Sequence, residues 1–183
     1  MSEAGSNFKN SIQDAENLLG HFNSLNSLNG QPPAPELEVL KRAGLIMAMT
    51  AWETYVEDRV AEACAERLSG LTDRSIAAFV QGKLADEISR LNNPASARTI
   101  QLFRDYAGVD LEQSWHWHNF DVKAAKDQLD SYMKLRGDIV HRSRTHVPGT
   151  LAAHPVKKDD LRKVIGLLKN LVDATERAFD SSV

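Results

Sequence analysis

An arginine and a histidine lie five positions apart near the end of a predicted helix, at Arg136 and His141. A histidine side chain can accept or donate a proton near neutral pH, because its ordinary pKa is about 6.5. A guanidinium can stabilise negative charge that grows on phosphoryl oxygens. The two side chains together therefore suit phosphoryl transfer that needs no metal ion.

Arg136 interrupts the apolar face of its own helix. Apolar or aromatic side chains recur at three- and four-residue spacing on this face, at Val122, Ala125, Leu129, Tyr132, Ile139 and Val140. At about 100° per residue Arg136 falls on the same face, where a cation is costly unless an acid or an anion meets it. Gly137 follows and costs about 1 kcal/mol relative to alanine in a helix interior. Such departures from local rules favour a functional site.

The motif at residues 135–142, Leu-Arg-Gly-Asp-Ile-Val-His-Arg, resembles the arginine–histidine signature of HEPN ribonucleases. This string of residues is most similar to the motif of the RiboL-PSP-HEPN branch and of related HEPN-like toxins. A second string, Ala-Trp-Glu-Thr-Tyr at residues 51–55, resembles the aromatic-Glu position on an early helix of the same family. Many members have asparagine directly after the arginine, where this chain has Gly137, so any role of that amide is absent or moved.

The resemblance implies a metal-independent endoribonuclease with Arg136 and His141 as catalytic residues and Glu53 and Asp138 in support. In that chemistry a ribose 2′-OH loses its proton to His141 and attacks the adjacent phosphorus. The products are a 2′,3′-cyclic phosphate and a 5′-OH. The leaving oxygen also needs an acid, but one motif supplies a single histidine. We therefore expect a homodimer that brings two copies of the motif together.

The resemblance also implies RNA as a partner and a role as a toxin or as an effector of phage defence or stress response. An antitoxin or another regulatory protein would then be a further partner. The main alternative is a non-catalytic interaction or regulatory module. In it, Arg136 ties the last helices to Glu53, and His141 is a cation beside the negative end of the helix dipole.

The net charge of −3 argues against a generally basic nucleic-acid binder, so any contact with RNA must be local. Residues 134–163 carry eight lysines and arginines against three aspartates, a local charge of +5. The predicted RNA-binding residues in this segment are Arg142, Arg144, Lys157 and Lys158. The alternative is that these cations complement a helix dipole and solvate a loop.

No metal, cofactor or membrane contact is predicted. Cys64 is the single cysteine, so an intrachain disulfide is excluded. Residues 115–118, Trp-His-Trp-His, offer two histidines where a zinc site needs three or four ligands; we expect the indoles to cover the core and the imidazoles to face water. A metal or nucleotide enzyme is therefore the weakest alternative. We expect a cytoplasmic protein, because the first ten residues lack a signal peptide's apolar core and no apolar run approaches the ~18 residues of a membrane span.

The repeated helical spacing predicts an all-α fold, and the chain length fits a single helical-bundle domain over residues 1–183 with HEPN-like architecture. The main helices are predicted at residues 6–30, 35–69, 121–144 and 157–180. The second should be central, because it carries two adjacent apolar faces. Glu53 borders those faces and is the predicted partner of Arg136. Thr72 is predicted to cap a shorter helix whose apolar face includes Ile76, Phe79 and Val80, and Asp121 to cap the helix of the motif.

Overall fold

The computed structural model describes residues 1–29, 37–118, 120–142 and 156–180, with the backbone alone at residues 28, 29 and 142. Six α-helices follow one another in these ranges: α1 (Glu3–Asn29), α2 (Glu38–Leu68), α3 (Arg74–Ile88), α4 (Ser96–Leu102), α5 (Val122–Arg142) and α6 (Lys158–Asp180). A π-helical turn, Phe103–Ala107, continues α4, and a 3-10 turn, Leu111–Gln113, precedes α5. The described residues hold no β-strand, only an isolated bridge between Trp117 and Phe120. The predicted all-α fold is confirmed.

The ends of the long helices follow local capping chemistry. Helix α1 begins at Glu3, before the predicted residue 6, because Ser2 caps it: the Ser2 Oγ accepts a hydrogen bond from the Gly5 N–H at 2.9 Å. Asp121 caps α5 as predicted, accepting from the Ala124 N–H at 2.7 Å. The predicted start of α2 at residue 35 and the predicted end of α5 at residue 144 both lie outside the described residues.

Helix α2 packs against α1, α3, α5 and α6. Both of its predicted apolar faces are buried, through Gly44, Leu45, Ala48, Met49, Ala51, Trp52, Tyr55, Val56 and Val60. Gly44 permits close contact with α6, since a Cβ there would lie 2.8 Å from Cδ2 of Leu161. All six helices contribute side chains to one hydrophobic cluster. The core therefore forms around α2, the helix that also carries Glu53.

Helix α3 differs from the sequence-based prediction. It is one continuous helix capped by Asp73, not by Thr72; the Asp73 carboxylate accepts from the Ser75 and Ile76 N–H groups at 2.9 and 3.3 Å. Ile76 and Phe79 are 52% and 66% exposed, so this part of the predicted apolar face does not contact the core, whereas Val80 is partly buried against it. The only fully buried side chain of α3 is Leu84, and the helix contacts α2.

A buried polar network ties the beginning of α1 to α6 across α2. The Glu176 carboxylate accepts hydrogen bonds from the Ser2 N–H and hydroxyl at 2.8 Å each, and from the Tyr55 hydroxyl at 3.0 Å. It also pairs with Nε of Arg59 at 3.1 Å, and the Arg59 guanidinium lies 3.6 Å from the Phe179 ring centre. Burial alone would raise the pKa of Glu176, but these hydrogen bonds and the Arg59 charge outweigh it and lower that pKa below its ordinary value.

Among the helices of the described ranges, none has both the length and the apolar character of a membrane span.

Candidate functional site

Arg136 joins α5 to α2 and to the loop between α3 and α4. Its Nη2 donates to Oε2 of Glu53 at 2.8 Å, so the predicted ion pair is present. The two side chains are 20% and 16% exposed, which makes the pair largely but not fully buried. Its Nη1 donates to the backbone carbonyl of Asn92 at 3.1 Å. The cation on the apolar face of α5 is thus met by one carboxylate and one carbonyl.

Glu57 lies one turn after Glu53 on α2, but no described cation compensates its charge. In the described part of the chain its carboxylate has no ion pair, whereas that of Glu53 has Arg136. Burial raises the pKa of Glu57, and the neighbouring carboxylates of Glu53 and Asp58 raise it further. The position of Glu53, and not merely a charge on this helix face, therefore determines which acid meets the arginine.

The α3–α4 loop, residues 89–95, is held in place mainly through its backbone. The Pro94 carbonyl accepts from Nε1 of Trp52 at 3.1 Å and from the Thr99 hydroxyl at 3.2 Å. Immediately after the loop, the N–H and the hydroxyl of Ser96 both donate to the Asp130 carboxylate of α5 at 2.8 Å. Together with the bond from Arg136, these contacts fix the loop against α2 and α5.

A cavity of about 540 Å³ lies between this loop and the end of α5. We call it the motif cavity, and its lining residues are Asn92, Asn93, Arg136, Gly137, Val140 and His141. On a straight helix Arg136 and His141 project about 140° apart. Both nevertheless border the same cavity, where His141 is exposed and Arg136 forms a largely buried wall.

Gly137 also lines this cavity, and the described residues give no packing reason for it. A Cβ built at this position meets nothing within 4 Å. The cost of glycine in a helix interior is therefore not offset by a close contact within the described structure. The space above Gly137 is therefore not filled by any described residue.

The other predicted site residues lie outside the lining of the motif cavity or outside the described residues. Asp138 is partly buried and does not line the motif cavity. Lys157 and Lys158 are exposed at the beginning of α6, also away from the cavity lining. The backbone of Arg142 belongs to α5, but its side chain, like all of Arg144, lies outside what the structure describes.

Sequence reasoning missed the opposite wall of the motif cavity. In the local sequence, Asn92 and Asn93 before Pro94 indicate only the end of a helix. Both side chains are exposed and line the cavity. Their proximity to Arg136 depends on a contact between residues 44 positions apart, which leaves no mark in the local sequence.

The Trp-His-Trp-His string has the predicted orientation in most respects. Trp115 is fully buried, and its indole donates to the Thr175 hydroxyl at 3.0 Å, while His116 and His118 are exposed. Trp117 is only partly buried. Within the described residues, no three or more His, Cys, Asp or Glu side chains are grouped in a way that could hold a metal ion.

Comparison with known proteins gives one family. A family model described as RiboL-PSP-HEPN matches residues 9–181, a segment that runs from α1 through α6 and includes both the Glu53 string and the motif. Neither the curated proteins nor the solved structures gave a match. Because the family model covers nearly the whole chain, the protein belongs to the RiboL-PSP-HEPN family.

Proposed function

We propose that this protein is a metal-independent endoribonuclease in which His141 transfers protons and Arg136 stabilises charge on the phosphoryl group. The observation that carries the proposal is that the two side chains border one open cavity of about 540 Å³. A cavity of that size is within the range that accommodates small ligands or a segment of a larger one. Membership of the RiboL-PSP-HEPN family supports the same chemistry.

In the proposed reaction, the exposed imidazole of His141 removes the proton of a ribose 2′-OH. The 2′ oxygen forms a bond to the adjacent phosphorus, the bond from phosphorus to the 5′ oxygen breaks, and a second group protonates that leaving oxygen. Arg136 keeps donors for the phosphoryl oxygens, because Nη1 and Nη2 each carry two hydrogens and each makes one described hydrogen bond. Glu53 orients this guanidinium.

We propose that a second copy of the chain provides the leaving-group acid. Among the described residues, one motif cavity contains a single histidine, whereas two motifs facing each other would contain two. Val140, beside His141, is 48% exposed, and no described residue would contact a Cβ at Gly137. An apolar side chain next to an uncovered glycine suits close approach of another helix.

A mixing experiment tests the shared site. A fixed amount of wild type is allowed to exchange subunits with increasing amounts of His141→Ala protein. If both histidines serve one reaction, activity falls as mixed dimers replace wild-type dimers. Constant activity, or full activity in a protein that light scattering shows to be a monomer, would exclude the shared site.

The nuclease itself is tested by incubating purified protein with RNA in EDTA. We expect cleavage that leaves 2′,3′-cyclic phosphate ends and that stops when the ribose at the cut carries a 2′-O-methyl group. His141→Ala should lower the rate by about 10²- to 10⁴-fold. His21→Ala is the matched control, because His21 is also exposed but lies on α1, outside the motif cavity. If no RNA is cut, or if the two variants cut equally fast, the proposal fails.

One observation favours the alternative of a non-catalytic interaction module. The two described hydrogen bonds of Arg136, to Glu53 and to the Asn92 carbonyl, are sufficient to explain an arginine at this position. Under this alternative Arg136 only joins helices. The same RNA assay separates the two functions, and so does expression in a bacterial host. If the proposed role as a toxin or defence effector holds, wild type slows growth and His141→Ala does not.

A further inference from the structure

A second cavity, of about 340 Å³, lies between α5, α6 and the segment that precedes α5. We call it the aromatic cavity, and it is lined by Trp117, Phe120, Gln128, Lys163, Gly166, Leu167 and Asn170. The four residues from α6 follow the spacing of a single helix face. The cavity shares no lining residue with the motif cavity.

Two stacked rings form one wall of the aromatic cavity. The rings of Trp117 and Phe120 are nearly parallel, at 6°, with centres 5.0 Å apart. Their backbones hold this arrangement through two mutual hydrogen bonds of 3.0 and 2.8 Å. The indoles of Trp52 and Trp115 donate within the core, but that of Trp117 has no described partner. A preformed aromatic surface with an unused donor is therefore available to a ligand.

The polar side chains of this cavity are also unused. Within the described residues, Gln128, Lys163 and Asn170 make no hydrogen bond or ion pair. The cavity between α1 and α6 differs, because its Lys169 is paired with Glu16. The aromatic cavity thus combines two rings with a cation that has no described partner and two carboxamides, each of which can both donate and accept.

Gly166 leaves this cavity open. It lies in the interior of α6, where glycine costs about 1 kcal/mol relative to alanine, and a Cβ there meets nothing within 4 Å. Packing within the described chain therefore gives no reason for a glycine. A larger side chain at this position would occupy space that a ligand could otherwise use.

Building on the proposed ribonuclease function, we infer that the aromatic cavity binds one unpaired nucleobase of the RNA substrate. Single-stranded RNA is bound by stacking bases on aromatic side chains and by hydrogen bonds to their edges. Trp117 and Phe120 supply the stacking surface, Gln128 and Asn170 face the base edge, and Lys163 meets a neighbouring phosphate. Because Gln128 and His141 are about 20 Å apart along α5, the bound base is separated from the cut and provides recognition of the surrounding sequence.

Binding is measured with fluorescent single-stranded 2′-O-methyl oligomers of A, C, G or U, which a 2′-OH mechanism cannot cleave. We expect Gly166→Leu to weaken binding of the preferred oligomer by between about 5- and 150-fold, the loss that corresponds to one stacked base. Gly20→Leu is the matched control. Gly20 also lies in a helix with nothing within 4 Å of an added Cβ, and it lines neither cavity. Circular dichroism verifies that both variants fold.

A sugar-phosphate oligomer without bases shows whether the lost contact is with a base. Wild type should bind it more weakly than the preferred oligomer, and Gly166→Leu should bind the two more nearly alike. The inference is wrong if wild type binds no oligomer or if the two leucine variants bind the preferred oligomer equally well. It is also wrong if Gly166→Leu weakens the binding of a protein partner but not that of any oligomer. Because these probes are not cleaved, base-dependent binding without RNA cleavage overturns only the proposed nuclease. Cleavage that depends on His141, with binding that ignores Gly166, overturns only the inference.

Discussion

Glu53→Gln removes the charge that faces Arg136 while keeping the shape of the side chain and one hydrogen-bond acceptor. Breaking a fully buried ion pair typically costs about 3 to 5 kcal/mol, and an exposed pair contributes ~1 kcal/mol or less. The 2.8 Å contact between side chains that are 20% and 16% exposed lies between these limits, nearer the buried one. Since glutamine still accepts a neutral hydrogen bond, we expect a loss of about 2 kcal/mol in the free energy of unfolding.

For a chain of this length, that loss corresponds to a fall of about 4 to 8 °C in the melting temperature. Thermal and urea unfolding should be measured in parallel on Glu57→Gln, which removes a carboxylate one turn away that lacks a described ion pair. Because the Glu53 carboxylate and burial both raise the pKa of Glu57, Glu57→Gln should leave stability unchanged or slightly higher.

A double-mutant cycle isolates the pair itself. Glu53→Gln combined with Arg136→Gln should be less destabilised than the sum of the two single variants, with a coupling of about 1 kcal/mol or more. Two results would refute the reasoning. One is a Glu53→Gln protein as stable as Glu57→Gln, and the other is additive losses in the double variant.

Three further predictions concern the site and the core. Gly137→Ala should stabilise the isolated chain by up to ~1 kcal/mol, because the new methyl meets no described residue of its own chain. It should nevertheless reduce cleavage or dimerisation, since the methyl would obstruct the close approach of a second copy; equal or greater activity would show that nothing approaches this glycine. Asn93→Ala should slow cleavage without a change in melting temperature, since its exposed side chain lines the motif cavity; an unchanged rate would exclude it from the site. Glu176→Gln should lower stability at pH 7 and weaken its fall in acid. The pKa of Glu176 is depressed on folding, so its contribution is present above the unfolded value of about 4.3 and is lost as pH falls through the lower folded value; urea midpoints at pH 7 and pH 3 that shift in parallel with wild type would contradict this.

The pairing of Arg136 with Glu53 could be predicted because a cation on an apolar face needs an acid, and Glu53 borders the apolar surface of α2 in a string that resembles the aromatic-Glu position of the family. The face of α3 could not be predicted in the same way. Ile76 and Phe79 have helical spacing like that of buried residues, but spacing does not determine which part of a short helix finds a neighbour to pack on. In α3, Val80 and Leu84 pack on the core, whereas Ile76 and Phe79 are exposed.

For the motif cavity, too, only one part could be predicted from the sequence. Its α5 wall could be predicted from the motif, because those residues are adjacent in sequence. Its other wall, Asn92 and Asn93, could not, because it depends on where the α3–α4 loop meets α5. Likewise, the Trp-His-Trp-His string stands out in the sequence. The aromatic cavity, however, depends on the stacking of Trp117 on Phe120 and on their position beside α6.

The loop contacts described above use the backbone carbonyls of Asn92 and Pro94, which every amino acid possesses. The side chains at positions 92 and 93 therefore carry little responsibility for holding the loop in place. Mutations there can change the size, charge and hydrogen-bonding character of the cavity wall without loss of the fold. Substitutions at these two positions can therefore change which ligands the cavity binds. The hydrogen bonds from Trp52 and Arg136 would keep the loop in the same position in each variant.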